Sequence, residues 1–97
     1  MSEASDLDTG PDVGGGEPAA HARTVLEYLV RAIVDDPDAV DVEVDDNGRR
    51  PSLNVHVGDG DMGRVIGKRG RVAQAIRTVV RAAAVRDDVD VDIEFVD

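Results

Sequence analysis

The chain has 97 residues, room for one domain and a modest core. It has no cysteine and only two histidines, which excludes a disulfide framework and leaves little for a zinc site. No apolar run approaches the roughly 20 residues that span a bilayer, and the net charge is −10.

That charge is unevenly spread. Residues 1–57 carry 13 acids against 4 bases, and residues 87–97 carry 6 acids and no base. Between them Arg64, Lys68, Arg69, Arg71, Arg77, Arg81 and Arg86 face only Asp59 and Asp61. A polyanion responds to the local field and not to the total. One basic island therefore sits in an acidic chain.

In chain order, Met1 to Gly16 is acidic and glycine-rich, without the basic segment that opens a secretory signal. It has too few apolar residues to offset the entropy of ordering. Residues 1–17 are read as a disordered acidic tail and residues 18–97 as the domain, with the cytoplasm as its default location.

From Pro18 the pattern changes. Val25, Leu26, Leu29, Val30, Ile33 and Val34 recur at the spacing of one helix face. Pro18 suits a first helical turn, and Asp35-Asp36-Pro37 ends the helix. Val40, Val42 and Val44 then alternate with Asp41, Glu43 and Asp45, the period-two pattern of a half-buried strand. Asp46-Asn47-Gly48 signals a turn, and Leu53, Val55 and Val57 return as a second strand.

Gly58-Asp59-Gly60-Asp61 follows as a turn whose Asp can cap a short helix over Met62–Ile66. Gly67-Lys68-Arg69-Gly70 interrupts it. A longer helix carries Val72, Ala73, Ile76, Val79, Val80 and Ala83 on one face and Arg71, Gln74, Arg77, Thr78 and Arg81 on the other. Val89, Val91, Ile93 and Phe95 alternate with acids as a third strand. Tyr28 and Phe95, the only aromatics, fall in apolar stripes and are expected in the core. Three helices packed on one face of a three-stranded sheet bury these stripes most simply, an α+β fold. The strand acids then face solvent on the bare side, away from the basic helices.

The chemistry concentrates in Val65-Ile66-Gly67-Lys68-Arg69-Gly70. Two glycines let the backbone adopt conformations closed to other residues and leave no Cβ in the way of a ligand. A phosphodiester can lie against main-chain N–H groups there, at the start of the long helix, with Lys68 and Arg69 adding full charges. Loops of this GxxG form clamp nucleotide backbones. Two glycines three apart also suit a plain helix–helix corner. The preceding Val-Ile, the flanking short and long helices, the two cations and the strand order together separate this segment from that simpler case.

Residues from about Thr24 to Val96 resemble the small single-KH bacterial proteins of the KhpA type. The segments Asp61-Met62-Gly63-Arg64-Val65-Ile66-Gly67-Lys68-Arg69-Gly70 and Ala75-Ile76-Arg77-Thr78-Val79-Val80-Arg81-Ala82-Ala83-Ala84 carry the likeness. The resemblance implies a type II KH domain (α-β-β-α-α-β) with a mixed sheet. It implies single-stranded RNA binding, often as an RNA chaperone or post-transcriptional regulator, and in some bacteria a link to cell-wall synthesis and cell length. It further implies a homodimer, or a heterodimer with a larger KH-containing protein of the Jag type. By the same resemblance Val65, Ile66 and Val72 would form the floor of a base-binding groove, with Arg64, Arg71 and Arg77 on its rim. The same spacings equally suit core valines and a solvated arginine face. The acidic tail and the Asp-rich surface depart from the family.

Other chemistries fit less well. Gly58-Asp59-Gly60-Asp61-Met62-Gly63 spells the dinucleotide fingerprint, but its acids would oppose a pyrophosphate and a hairpin precedes it. RRM, OB and cold-shock surfaces need aromatic platforms, which two aromatics do not supply. No nucleophile or carboxylate stands at catalytic spacing from His21 or from His56, which is expected on a strand's exposed side. No enzyme activity, cofactor, metal, membrane or small-molecule substrate is therefore expected. The alternative function is a protein-interaction module in which the fold mainly serves dimerisation.

Overall fold

The computed structural model describes residues 19–46 and 48–96. The tail expected over residues 1–17, Pro18 at the first helical turn and Asn47 in the hairpin turn lie outside the described residues.

The first helix, α1, runs Ala20–Ile33 and buries Ala22, Leu26 and Val30 at four-residue spacing. It ends where expected. Val34 is already extended, and Pro37 opens a single 3-10 turn, Pro37–Ala39. At its start Ala19 has no side chain that can accept a hydrogen bond. Asp87 supplies the cap from far along the chain: its carboxylate accepts the N–H of His21 at 3.1 Å and of Ala22 at 2.9 Å. These are two of the donors that a helix leaves orphaned in its first turn.

Two strands follow as an antiparallel hairpin, β1 (Asp41–Asp45) and β2 (Ser52–His56), with Val42 opposite Val55 and Val44 opposite Leu53. The last strand, β3 (Asp92–Phe95), lies parallel to β2 and sets Ile93 beside Leu53. The sheet is mixed, in the order β1-β2-β3. A parallel return needs a crossover. Two helices provide it, α2 (Met62–Ile66) and α3 (Arg71–Ala84).

All three helices cover one face of the sheet. Leu26 and Val30 from α1, Val65 from α2, and Ile76 and Val80 from α3 meet Val42, Leu53, Val55 and Ile93 from the strands. The opposite face turns Asp41, Glu43, Asp45 and Glu94 to water, as the alternation requires. His56 lies on that face, its Nε2 3.3 Å from Glu43 Oε1. Basic helices and acidic sheet thus occupy opposite sides.

Two expected core positions are corrected. Tyr28 is 73% exposed, because it lies two positions from both Leu26 and Val30, about 200° around the helix. Val79 is 48% exposed. It sits at the rim of the α3 stripe, where Ile76 and Val80 take the buried places. Phe95 is half-buried and packs against the core.

Candidate nucleic-acid interface

The site begins at the turn between β2 and α2. The N–H of Asp61 donates to Gly58 O at 3.1 Å, and Gly60 takes the left-handed φ of 84°. The Asp61 side chain does not cap α2, contrary to the sequence expectation. It turns inward, is only 3% exposed, and accepts the N–H groups of Asp35 and Asp36 at 3.1 Å each. A buried carboxylate needs such partners, and the amides just beyond α1 provide them. Arg64 completes the group, with Nη2 3.0 Å from Asp35 and Nε 3.5 Å from Asp61. One end of α2 is pinned by this network, and Val65 fixes its middle in the core.

The other end of α2 runs into the glycine loop. Gly67 has φ 74° and ψ 174°, a region that essentially only glycine occupies. Lys68–Gly70 then forms one 3-10 turn in which Arg69 (φ 56°, ψ 23°) and Gly70 (φ 71°, ψ 15°) are both left-handed. Gly67 N–H donates back to Gly63 O at 2.9 Å and Gly70 N–H to Gly67 O at 3.1 Å. Arg71 N–H closes on Lys68 O. The N–H groups of Lys68 and Arg69 donate to no acceptor among the described residues. Both residues are exposed. The loop therefore engages its glycine amides internally and leaves its two cationic residues with bare ones.

Ion pairing sorts the basic island. Arg23 faces Glu27, Arg50 faces Asp92, and Arg64 faces Asp35 and Asp61. Among the described residues no carboxylate pairs with Lys68, Arg69, Arg71, Arg81 or Arg86. These five cations, four on the glycine loop and α3 and Arg86 just beyond the helix, stay free of carboxylates among the described residues. Placement of Asp41, Glu43, Asp45 and Glu94 on the far sheet face contributes to this.

Among the residues singled out from the sequence, Gly67, Lys68, Arg69, Gly70 and Arg71 come together at the surface, flanked by the half-buried Ile66 and Val72. Val65 is wholly buried and takes the core role its spacing equally allowed. Arg77 lies along the edge of β3, with Nε 3.4 Å from Ile93 O and its guanidinium carbon 5.1 Å from the Phe95 ring centre. The buried Asp61 and its bond to the end of α1 were not visible in the sequence, because a single Asp before a helix looks like an ordinary cap.

Residues 23–95 match the family described as KhpA/KhpB, KH domain. The chain belongs to that family. Its α-β-β-α-α-β order and mixed sheet are the type II KH arrangement, and the family is non-enzymatic. This KH chain is 41% identical over 75 residues to the RNA-binding protein KhpA of Halalkalibacterium halodurans, covering 77% of this chain and 99% of that protein. Against the RNA-binding protein KhpA of Streptomyces coelicolor it is 49% identical over 71 residues, covering 69% of this chain and 90% of that one. In fold it is similar to Aquifex aeolicus Era, crystallised with GDP and an aluminium fluoride, with a TM-score of 0.63 at 14% identity. That likeness covers 98% of this chain and 36% of the Era chain.

Proposed function

We propose that this KH domain binds single-stranded RNA by holding the sugar–phosphate backbone against Gly67-Lys68-Arg69-Gly70. The observation that carries the reading is the coincidence, among the described residues, of two unengaged amides, at Lys68 and Arg69, with five cations that no carboxylate pairs. Backbone N–H groups give directional bonds to phosphate oxygens, and the free cations give the longer-range pull. Ile66 and Val72 flank the loop as apolar floor, and Arg71 stands on its rim. Arg77 reaches the same strand from a tethered position, Arg64 is held back by Asp35 and Asp61, and Val65 acts through packing. Relatives at 41% and 49% identity that carry the name RNA-binding protein support the reading.

The test is a fluorescence-anisotropy titration of a single-stranded RNA oligomer with the wild type and with a Lys68→Asp, Arg69→Asp double variant. Binding is expected to vanish in the variant at unchanged melting temperature. With three or four phosphates neutralised, the wild type's log–log salt slope is expected at about −2 to −3. Equal binding by both proteins, or a flat salt response, overturns the clamp.

A second surface supports the pairing that the family resemblance implies. Leu29 and Ile33 of α1 and Val72, Ala75, Ile76 and Val79 of α3 line a shallow apolar groove of about 200 Å³. Its occupant on this reading is a second copy of the chain or a larger Jag-type KH protein. Sedimentation of the wild type against Val79→Asp tests it: a monomer at all concentrations in both excludes self-pairing. RNA-chaperone or post-transcriptional regulatory work in the cytoplasm, with effects on cell-wall synthesis and cell length, completes the reading and rests on family membership.

A further inference from the structure

The Gly58-Asp59-Gly60-Asp61-Met62-Gly63 segment, which is not a dinucleotide site, lines a cleft of about 360 Å³ with Val57 and Val96. Val57, Met62 and Val96 give it apolar sides. Its polar side chain is Asp59, exposed and without hydrogen bond or ion pair among the described residues. The turn that carries Asp59 is rigid. Asp61 N–H closes it on Gly58 O at 3.1 Å, with Gly60 at φ 84° in the third position, where a type II turn wants glycine. The buried Asp61 carboxylate then ties the turn to the Asp35 and Asp36 amides.

The cleft shares α2 with the clamp. Gly63 belongs to its lining and lies in α2, whose C-terminal end runs into Gly67 four residues on. A Cβ at Gly63 would meet nothing within 4 Å, so the surface is open at that point. Four residue steps at helical rise come to about 6 Å, a short step along an extended strand.

We propose that this cleft is a base-recognition pocket whose preferred occupant is guanine, an inference that rests on the RNA-binding reading above. An ionised carboxylate can only accept hydrogen bonds. Bases of a single strand are read along their exposed Watson–Crick edges. The guanine edge presents two neighbouring donors, N1–H and the N2 amino group, which match the two carboxylate oxygens in a bidentate pair. Adenine and cytosine present one amino group beside a ring acceptor, and uracil flanks its single N–H with two carbonyl oxygens. Those acceptors would face the Asp59 charge. Val96 and Met62 meet the flat faces of the base, which need no charge.

The experiment titrates the full chain against three RNA oligomers: all-uridine, the same with one central guanosine, and the same with inosine, which lacks the N2 amino group. The wild type is expected to bind the guanosine oligomer about tenfold tighter than the other two. Asp59→Ala should abolish that ratio, whatever uniform gain follows from removing one negative charge, and should leave the melting temperature unchanged. A wild type that does not separate guanosine from inosine, or an Asp59→Ala variant that still does, overturns the pocket while the clamp stands. No binding to any oligomer overturns the RNA reading itself, and the pocket with it.

Discussion

A Cβ on Gly67 would lie 2.4 Å from Cγ2 of Val72, across the kink that joins α2 to α3. The kink therefore depends on glycine twice over, once for its φ of 74° with ψ of 174° and once for the space beside Val72. Gly70 depends on it only for a φ of 71°, since nothing lies within 4 Å of its would-be Cβ. Gly70→Ala should cost about 1–2 kcal/mol, the left-handed penalty alone. Gly67→Ala adds overpacking and should cost about 2–4 kcal/mol. Urea denaturation orders the two variants. Val72→Ala in the Gly67→Ala background should restore part of the loss, and an unchanged deficit would remove Val72 as its source.

Arg69 holds a φ of 56°, unusual for a residue with a side chain, inside the loop proposed to bind RNA. Arg69→Gly relieves a left-handed penalty of about 1–2 kcal/mol but adds a backbone-entropy cost of about 0.5–1 kcal/mol. Stability should therefore stay level or rise by about 1 kcal/mol. RNA affinity should fall, and the log–log salt slope should become shallower by about one. Paired denaturation and salt titrations measure both. A stable variant with an unaltered slope would show that the Arg69 charge never meets a phosphate.

The elements were legible because each has a clean period. Val42 and Val44, then Leu53 and Val55, alternate with polar residues, and Leu26 and Val30 recur by four. Legibility failed where the partner lies far along the chain. Asp87 caps α1 from 65 residues beyond Ala22, and Asp61 bonds the Asp35 amide 26 residues earlier. No local pattern encodes either contact. Failure also came at stripe edges. Val79 is an apolar neighbour of a core residue, yet only the placement of the other helices determines whether an edge is covered. Tyr28, in contrast, lies about 200° from Leu26 and Val30, off the stripe altogether. At the site, the glycines and cations of the loop could be named from the sequence. The division of the arginines into paired Arg64 and unpaired Arg71 could not, since it depends on where the acids fold.

Asp87 gives a stability experiment independent of RNA. Its two oxygens hold the His21 and Ala22 amides, the only side-chain cap found at the start of α1 among the described residues. Asp87→Ala should cost about 1–2 kcal/mol, in the range of a lost N-cap. Hydrogen exchange should quicken at those two amides first. RNA affinity should not fall, because Asp87 lies outside the loop. Unchanged protection at His21 and Ala22 would mean that the cap contributes nothing in solution.

Asp61 and Arg64 share one network but should respond in opposite ways. Asp61 is buried and satisfies two amides, so Asp61→Asn leaves one buried N–H facing an NH2 group. An unsatisfied buried donor costs about 1–3 kcal/mol. Arg64 is more than half exposed, and its pair with the exposed Asp35 is of the kind worth about 0–1 kcal/mol. Arg64→Ala should thus be nearly silent in urea denaturation. It should also be nearly silent toward RNA, because Asp35 and Asp61 already oppose that charge. Asp35→Ala separates the two roles: it frees Arg64 from one partner and should tighten RNA binding with a steeper salt slope, whereas Arg64→Ala should cancel that gain in the double variant. Additive effects in this cycle would show that Arg64 never turns toward the strand, leaving the clamp to Lys68, Arg69 and Arg71 alone.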